Sequence, residues 1–145
     1  MTEQAATTMD SIEIREFLQD QGIGVLALAK ASDAYAVPVS FFYDGEQQCV
    51  YLRLGYASGS QKRRYARATD HASLVVYDDT DEGWKSVVIE GHLEEISDNT
   101  LDSALEEHGE QLDIPYVRIF DRPTDEIEFR TVRINITSMK GIVES

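Results

Sequence analysis

The chain has 145 residues, 42% hydrophobic and 9% aromatic, which suits one domain with its own core and excludes disorder throughout. Its 27 acidic and 13 basic residues give a formal charge of −14, which excludes nucleic acid binding through a general basic surface. No apolar run approaches the ~20 residues of a membrane span, and Met1 to Asp10 lacks the apolar stretch of a signal peptide. The single Cys49 excludes an internal disulfide and disfavours a zinc cluster. The expectation is a cytoplasmic protein. Its acids spread along the whole chain, which favours adaptation to a high-salt cytoplasm over an ordinary acidic protein or an acidic docking surface.

Residues 1–9 read as a loose tail and residues 10–145 as a single domain. Asp10 or Ser11 can cap a helix whose first turns carry Glu13 and Glu16. Ile14, Phe17 and Leu18 form its apolar face, and Gly22 suits its end. Strands follow at Gly24 to Ala29, Tyr35 to Tyr43 and Gln48 to Leu54. Asp44-Gly45 predicts a hairpin between the last two. Gly55 to Ser60 is a small-residue loop, and Gln61 to Thr69 has helical composition. Ala72 to Tyr77 is a fourth strand, Asp78 to Gly83 an acidic turn, and Trp84 to Ile96 a long fifth strand with a bulge or bend at Gly91. A helix is expected from Asp98 or Asn99 to about His108, with a short helix or extended piece at Tyr116 to Phe120. Glu126 to Ile136 alternates as a last strand. About six strands arriving as hairpins, with three short helices, predict a mainly β fold, an antiparallel barrel with peripheral helices, rather than a doubly wound sheet.

The segment Ser58 to Arg67 holds four of the thirteen basic side chains in ten positions. A Ser-Gly-Ser loop entering a helix offers unpaired N–H groups and partial positive charge, which suits a phosphate. The competing reading is a solvated helix face paired with acids, and Arg64 and Arg67 suit that surface role. Pro38, inside the apolar Ala36 to Ser40, removes a ladder donor and belongs at an edge or bulge, where neighbouring backbone groups can bond a planar ligand. Trp84 suits core, a subunit seam or stacking on an aromatic ligand, and Ser86 points to the same side. His71, His92 and His108 share no metal-ligand spacing and read as structural or exposed. Cys49 reads as a small buried hydrophobe. No nucleophile elbow, P-loop or dinucleotide fingerprint is present.

These pieces, in this order, resemble the pyridoxamine 5′-phosphate oxidase-related family of FMN-binding split β-barrels. The resemblance spans roughly Ile14 to Ile96. It rests on Gly24 to Leu28, Ala36 to Gly45, Val50 to Leu54, Ser60-Gln61-Lys62, Ala72 to Val76 and Trp84 to Gly91. It implies a homodimer with FMN at the subunit interface. Val37, Pro38, Val39 and Ser40 would line the isoalloxazine ring, largely through backbone, and Arg53 and Leu54 would flank the ribityl and phosphate. Ser60, Gln61 and Lys62 would hold the phosphate, assisted by Arg63. Gln61 stands where fuller patterns are often basic, so Lys62 carries more of the burden. Trp84 to Ser86 would approach from the other subunit. The C-terminal segment lacks the tryptophan and basic motif of true pyridoxamine phosphate oxidases, which disfavours vitamin B6 oxidation. Arg130 and Arg133 either lie near the site or pair with acids. The resemblance leaves three functions open: an FMN oxidoreductase acting on an unknown small molecule, a non-catalytic flavin carrier or sensor, and the same barrel holding F420 or haem.

Overall fold

The structure, a computed structural model, describes residues 6–57, 70–96 and 127–144. The helix α1 (Ser11–Gln19) begins as its sequence dictates. Asp10 accepts from the Glu13 N–H at 2.8 Å, and Glu13 accepts in turn from the Asp10 N–H, a reciprocal capping box. Ile14, Phe17 and Leu18 are buried. The end differs from expectation. Asp20 N–H bonds the Phe17 carbonyl and Gln21 N–H the Leu18 carbonyl, so the helix closes in a tight last turn before Gly22 is reached. Gly22 lies outside the positive-φ region and instead gives its carbonyl to Phe41 N–H at 3.0 Å.

Seven strands follow one another antiparallel: β1 (Ala6–Thr8), β2 (Ile23–Lys30), β3 (Asp33–Asp44), β4 (Cys49–Ala57), β5 (His71–Thr80), β6 (Gly83–Glu95) and β7 (Ile127–Glu144). Their spatial order is β1-β7-β4-β3-β2-β5-β6, and β6 also pairs with β7. That last pairing closes six strands into a ring, with β1 appended to β7. The fold is therefore mainly β and antiparallel, in keeping with the expected split barrel. The predicted loose tail is wrong from Ala6 onward. Ala6–Thr8 pairs with Ile142–Glu144, and Met9 is buried with its N–H on the Gly141 carbonyl. The last strand runs eight residues past the predicted Ile136, because pairing with β6 continues to Glu144. The expected helices at Gln61 to Thr69 and Asp98 to His108, and the piece at Tyr116 to Phe120, lie outside the described residues.

The turns obey local chemistry. Lys30 pairs with Asp33 across Ala31-Ser32, with Ala31 at φ 55°. Asp44 Oδ1 accepts from the N–H groups of Glu46 and Gln47, both at 3.1 Å, which folds the β3–β4 loop into an Asx-type turn. Inside the ring, Leu26, Leu28, Val37, Val39, Leu52, Leu54, Leu74, Val76, Val87, Ile89 and Ile134 alternate inward as the core.

The barrel is split because two of its seams are short. Strand β3 pairs with β2 from Asp33 to Ser40 and with β4 only from Ser40 to Asp44. The β2–β5 seam spans Val25–Ala27 against Ser73–Val75. At the β6–β7 seam the register shifts between Glu90 and Gly91, the bulge expected at Gly91. A Cβ on Gly91 would collide with the Asn135 carbonyl oxygen, whereas one on Gly22 meets nothing within 4 Å. Gly91→Ala should therefore cost roughly 1–3 kcal/mol of stability in urea unfolding, as overpacking does, and Gly22→Ala should cost none. Equal effects at the two positions would contradict this packing.

Candidate functional site

Ser40 sits where β3 changes partner. Along β3, Val37, Val39, Phe41 and Tyr43 point into the core, which leaves Pro38, Ser40 and Phe42 on the outer face. Phe41 N–H bonds Gly22, so by antiparallel alternation the odd-numbered backbone groups of β3 face β2 and the even-numbered ones face the other way. Between Ala34 and Val39 no described strand pairs with that other edge. The backbone polar groups of Ala36 and the carbonyl of Pro38 therefore point into the split. Pro38 stands at an edge, as its missing donor requires, and without a bulge.

The Ser40 side chain is 1% exposed, and its Oγ has no hydrogen-bond partner among the described residues. Such an orphaned hydroxyl carries a desolvation penalty of roughly 1–3 kcal/mol. Its cross-strand neighbours are Arg53 on β4 and Ile23 on β2. A cavity of about 550 Å³ opens farther along β3, lined by Phe41, Phe42, Tyr43, Leu18, Gln19 and Gln21. That size is within the range of small-ligand sites.

The remaining expected residues fall in different places. Val37, Val39 and Leu54 are in the barrel core, so only their backbone can face a ligand. Arg53 is partly buried on the outer face beside Ser40. Ser60, Gln61, Lys62 and Arg63 lie outside the described residues. Trp84 is 43% exposed and stacks on Tyr77, with ring centres 5.4 Å apart and planes 24° from parallel. Ser86 faces Tyr77 on one side and Ile142 on the other. Extending the β2–β5 register sets Ile23 level with Tyr77, so one outer row runs Arg53, Ser40, Ile23, Tyr77, Ser86. Three strand spacings of ~4.8 Å separate Ser40 from Ser86. Within one chain the two hydroxyls do not share one site.

Sequence reasoning missed a second outer cluster. Cys49 and Tyr51 are buried together, packed by Phe42 and Ile96. Arg133 is bound to Glu94 through both Nε and Nη2, the acid pairing that the sequence offered as one of its two roles. Burial pushes the Tyr51 phenol up to about 12, with Cys49 adding to the rise and Arg133 opposing it. Burial likewise raises the Cys49 thiol. Hydrogen bonds from Asn135 and Arg133 hold the Glu94 carboxyl below its ordinary range. His71 and His92, unrelated by spacing, are direct cross-strand partners. The signal for both clusters is strand register, which no local pattern specifies.

The sequence model of the pyridoxamine 5′-phosphate oxidase family matches residues 10–143. The chain belongs to that family. Among solved structures, a FAD-binding protein from Mesorhizobium loti is 25% identical, with 99% of each chain covered and a TM-score of 0.70. The FAD-binding protein from Mycobacterium smegmatis is 15% identical, covering 96% of this chain and 99% of its own, with a TM-score of 0.67. A FAD- and haem-binding protein from the same organism is 14% identical, covering 97% and 73%, with a TM-score of 0.65. The last two likenesses concern the fold. No curated protein matches the chain. Among the described residues no helix is long and apolar enough to cross a membrane.

The Tyr51 shift has a signed consequence. A phenol whose folded pKa is raised contributes stability that is full below its unfolded value near 10 and is lost as pH climbs toward about 12. Alkaline unfolding followed by circular dichroism should steepen across that window, and Tyr51→Phe should flatten it. An unchanged profile in the variant would rule Tyr51 out as the titrating group.

Proposed function

We propose that the chain holds FMN where the barrel opens at Ser40, in a homodimer whose second copy covers the apolar face beside that opening. The observation that carries this reading is the open edge of β3 ending at Ser40, a buried hydroxyl with no partner among the described residues. A polar planar ligand along the open edge of β3 offsets its desolvation cost. Ser40 Oγ can donate to or accept from a flavin ring, while Ala36 offers backbone donor and acceptor and Pro38 an acceptor alone. Arg53, one strand across, is suited to an anionic ribityl phosphate. Ser60, Gln61 and Lys62, with Arg63 beside them, supply the rest of the phosphate site on the strength of the family resemblance and their clustered charge.

The second copy is argued from the outer face of β2, β5, β6 and β7. Ile23, Tyr77, Trp84, Ile142 and Val88 are 36–58% exposed there, and Val25, Val75 and Val88 lie in one row between them. An apolar face of this extent suits a protein interface. Ser40 borders it through Ile23. A cofactor at Ser40 is thus within reach of a partner's Trp84 and Ser86, which the 14 Å scale of the sheet puts beyond reach within one chain.

A bound flavin supplies hydride and single-electron chemistry. The chain's own part is to bind, orient and shield it. The reading is an oxidoreductase acting on an unidentified small molecule; a flavin carrier would bind equally well but show no turnover with NAD(P)H. FAD is a second reading of the same site, favoured by the FAD-binding proteins that share this fold. Both flavins contain the phosphate assigned to Lys62. Haem needs an axial ligand, and His71 and His92 lie exposed beside carboxylates several rungs along the sheet from Ser40.

The absorption spectrum of the purified protein should show oxidised flavin, released with the mass of FMN. Lys62→Ala should weaken binding by roughly 1.5–3 kcal/mol, as a lost charge-assisted contact does. Ser40→Ala should weaken it by about 1 kcal/mol while leaving the flavin-free protein no less stable. Light scattering should give twice the chain mass. A Soret band, or no flavin uptake after FMN is added, would overturn the cofactor; a monomer would overturn the interface.

A further inference from the structure

We propose that His71 and His92 form a two-imidazole chelate for a divalent transition metal ion, clipping β5 to β6 on the outer face. Leu93 N–H bonds the Asp70 carbonyl. Alternation therefore makes His71 and His92 a non-hydrogen-bonded cross-strand pair, the arrangement in which opposed Cα atoms come within about 4.5 Å and side chains are closest. Their ring centres are 5.7 Å apart and their planes 81° from parallel. A zinc ion about 2.0–2.1 Å from a ring nitrogen stands about 3.2 Å from that ring's centre. Two imidazoles on one tetrahedral ion then have centres about 5.2 Å apart, and a wider ligand angle of about 125° brings them to about 5.7 Å. Rings at this separation can share one ion once a nitrogen of each is turned to it.

Each ring also has a carboxylate on one nitrogen. His71 Nε2 is 3.5 Å from Glu90 Oε2, and His92 Nδ1 is 3.8 Å from Asp70 Oδ2. A carboxylate beside one nitrogen of a metal-binding histidine orients the ring and leaves the other nitrogen for the metal. The ligating atoms are accordingly His71 Nδ1 and His92 Nε2, which turn toward each other by side-chain rotation. Both side chains are half exposed at the surface. No three His, Cys, Asp or Glu side chains converge on one point among the described residues. Water therefore fills the remaining positions. The imidazole pair selects zinc, nickel or copper over magnesium and calcium, which prefer oxygen. The strongly negative chain raises the local concentration of cations around it. An edge-to-face contact between two rings, with no affinity for metal, is the competing reading of the same geometry.

The test is calorimetric titration of the full chain with zinc or nickel at neutral pH, in excess magnesium to occupy the general acidic surface. One ion per chain should bind with micromolar affinity. His71→Ala and His92→Ala should each weaken binding at least tenfold, and binding should fade in acid as protons compete for the rings. Both positions are at the surface, so circular dichroism should show the variants folded. No binding above the magnesium background, or binding by both variants as tight as by the unmodified chain, would overturn the proposal.

Discussion

Strand β3 belongs to two seams and is shared at a single rung. Up to Ser40 it pairs with β2, and from Ser40 on with β4. A closed barrel satisfies every edge; among the described strands this one does not, because the strand that joins its halves leaves the first partner where it meets the second. The open edge, the exposed backbone of Ala36 and Pro38, and the orphaned hydroxyl all follow from that handover. So does the tolerance for proline in the middle of an apolar strand.

The handover also fixes what the site can be. Val37, Val39 and Leu54 fill the core, so on the proposed reading a ligand there meets backbone groups, Ser40 and Arg53. The β6–β7 seam is closed by close approach of the two backbones. At Gly91 the chain shifts register against β7 with the Asn135 carbonyl where a side chain would stand. One seam is thus tightly specified while the other is left open, and the open one borders the apolar outer face through Ile23.

Much of this was legible in the sequence because it is local. The Asp10–Glu13 capping box, the Asx turn at Asp44 and the bulge at Gly91 are written in adjacent residues. Pro38 announced an edge. Ala6–Thr8 was missed because one alanine and two threonines carry no apolar alternation and pair with β7 alone among the described strands. The end of β7 was missed for a related reason: Thr137 to Gly141 has no apolar alternation, and pairing with β6 imposes the extended form. Which partner β3 keeps at each rung, the burial of Ser40, the Tyr51–Arg133–Glu94 cluster and the His71–His92 pair are all matters of register. Register is set by the whole sheet, so no window of sequence displays it.

The central claim is that the open edge of β3 around Ser40 is the flavin site. Backbone hydrogen exchange with and without FMN tests it most directly. The account predicts that FMN slows exchange at Ala36 and through the Ser40–Arg53 rung, while the β5–β6 hairpin tip at Asp81-Glu82 is unaffected. Binding of FMN with no added protection along that edge would contradict it.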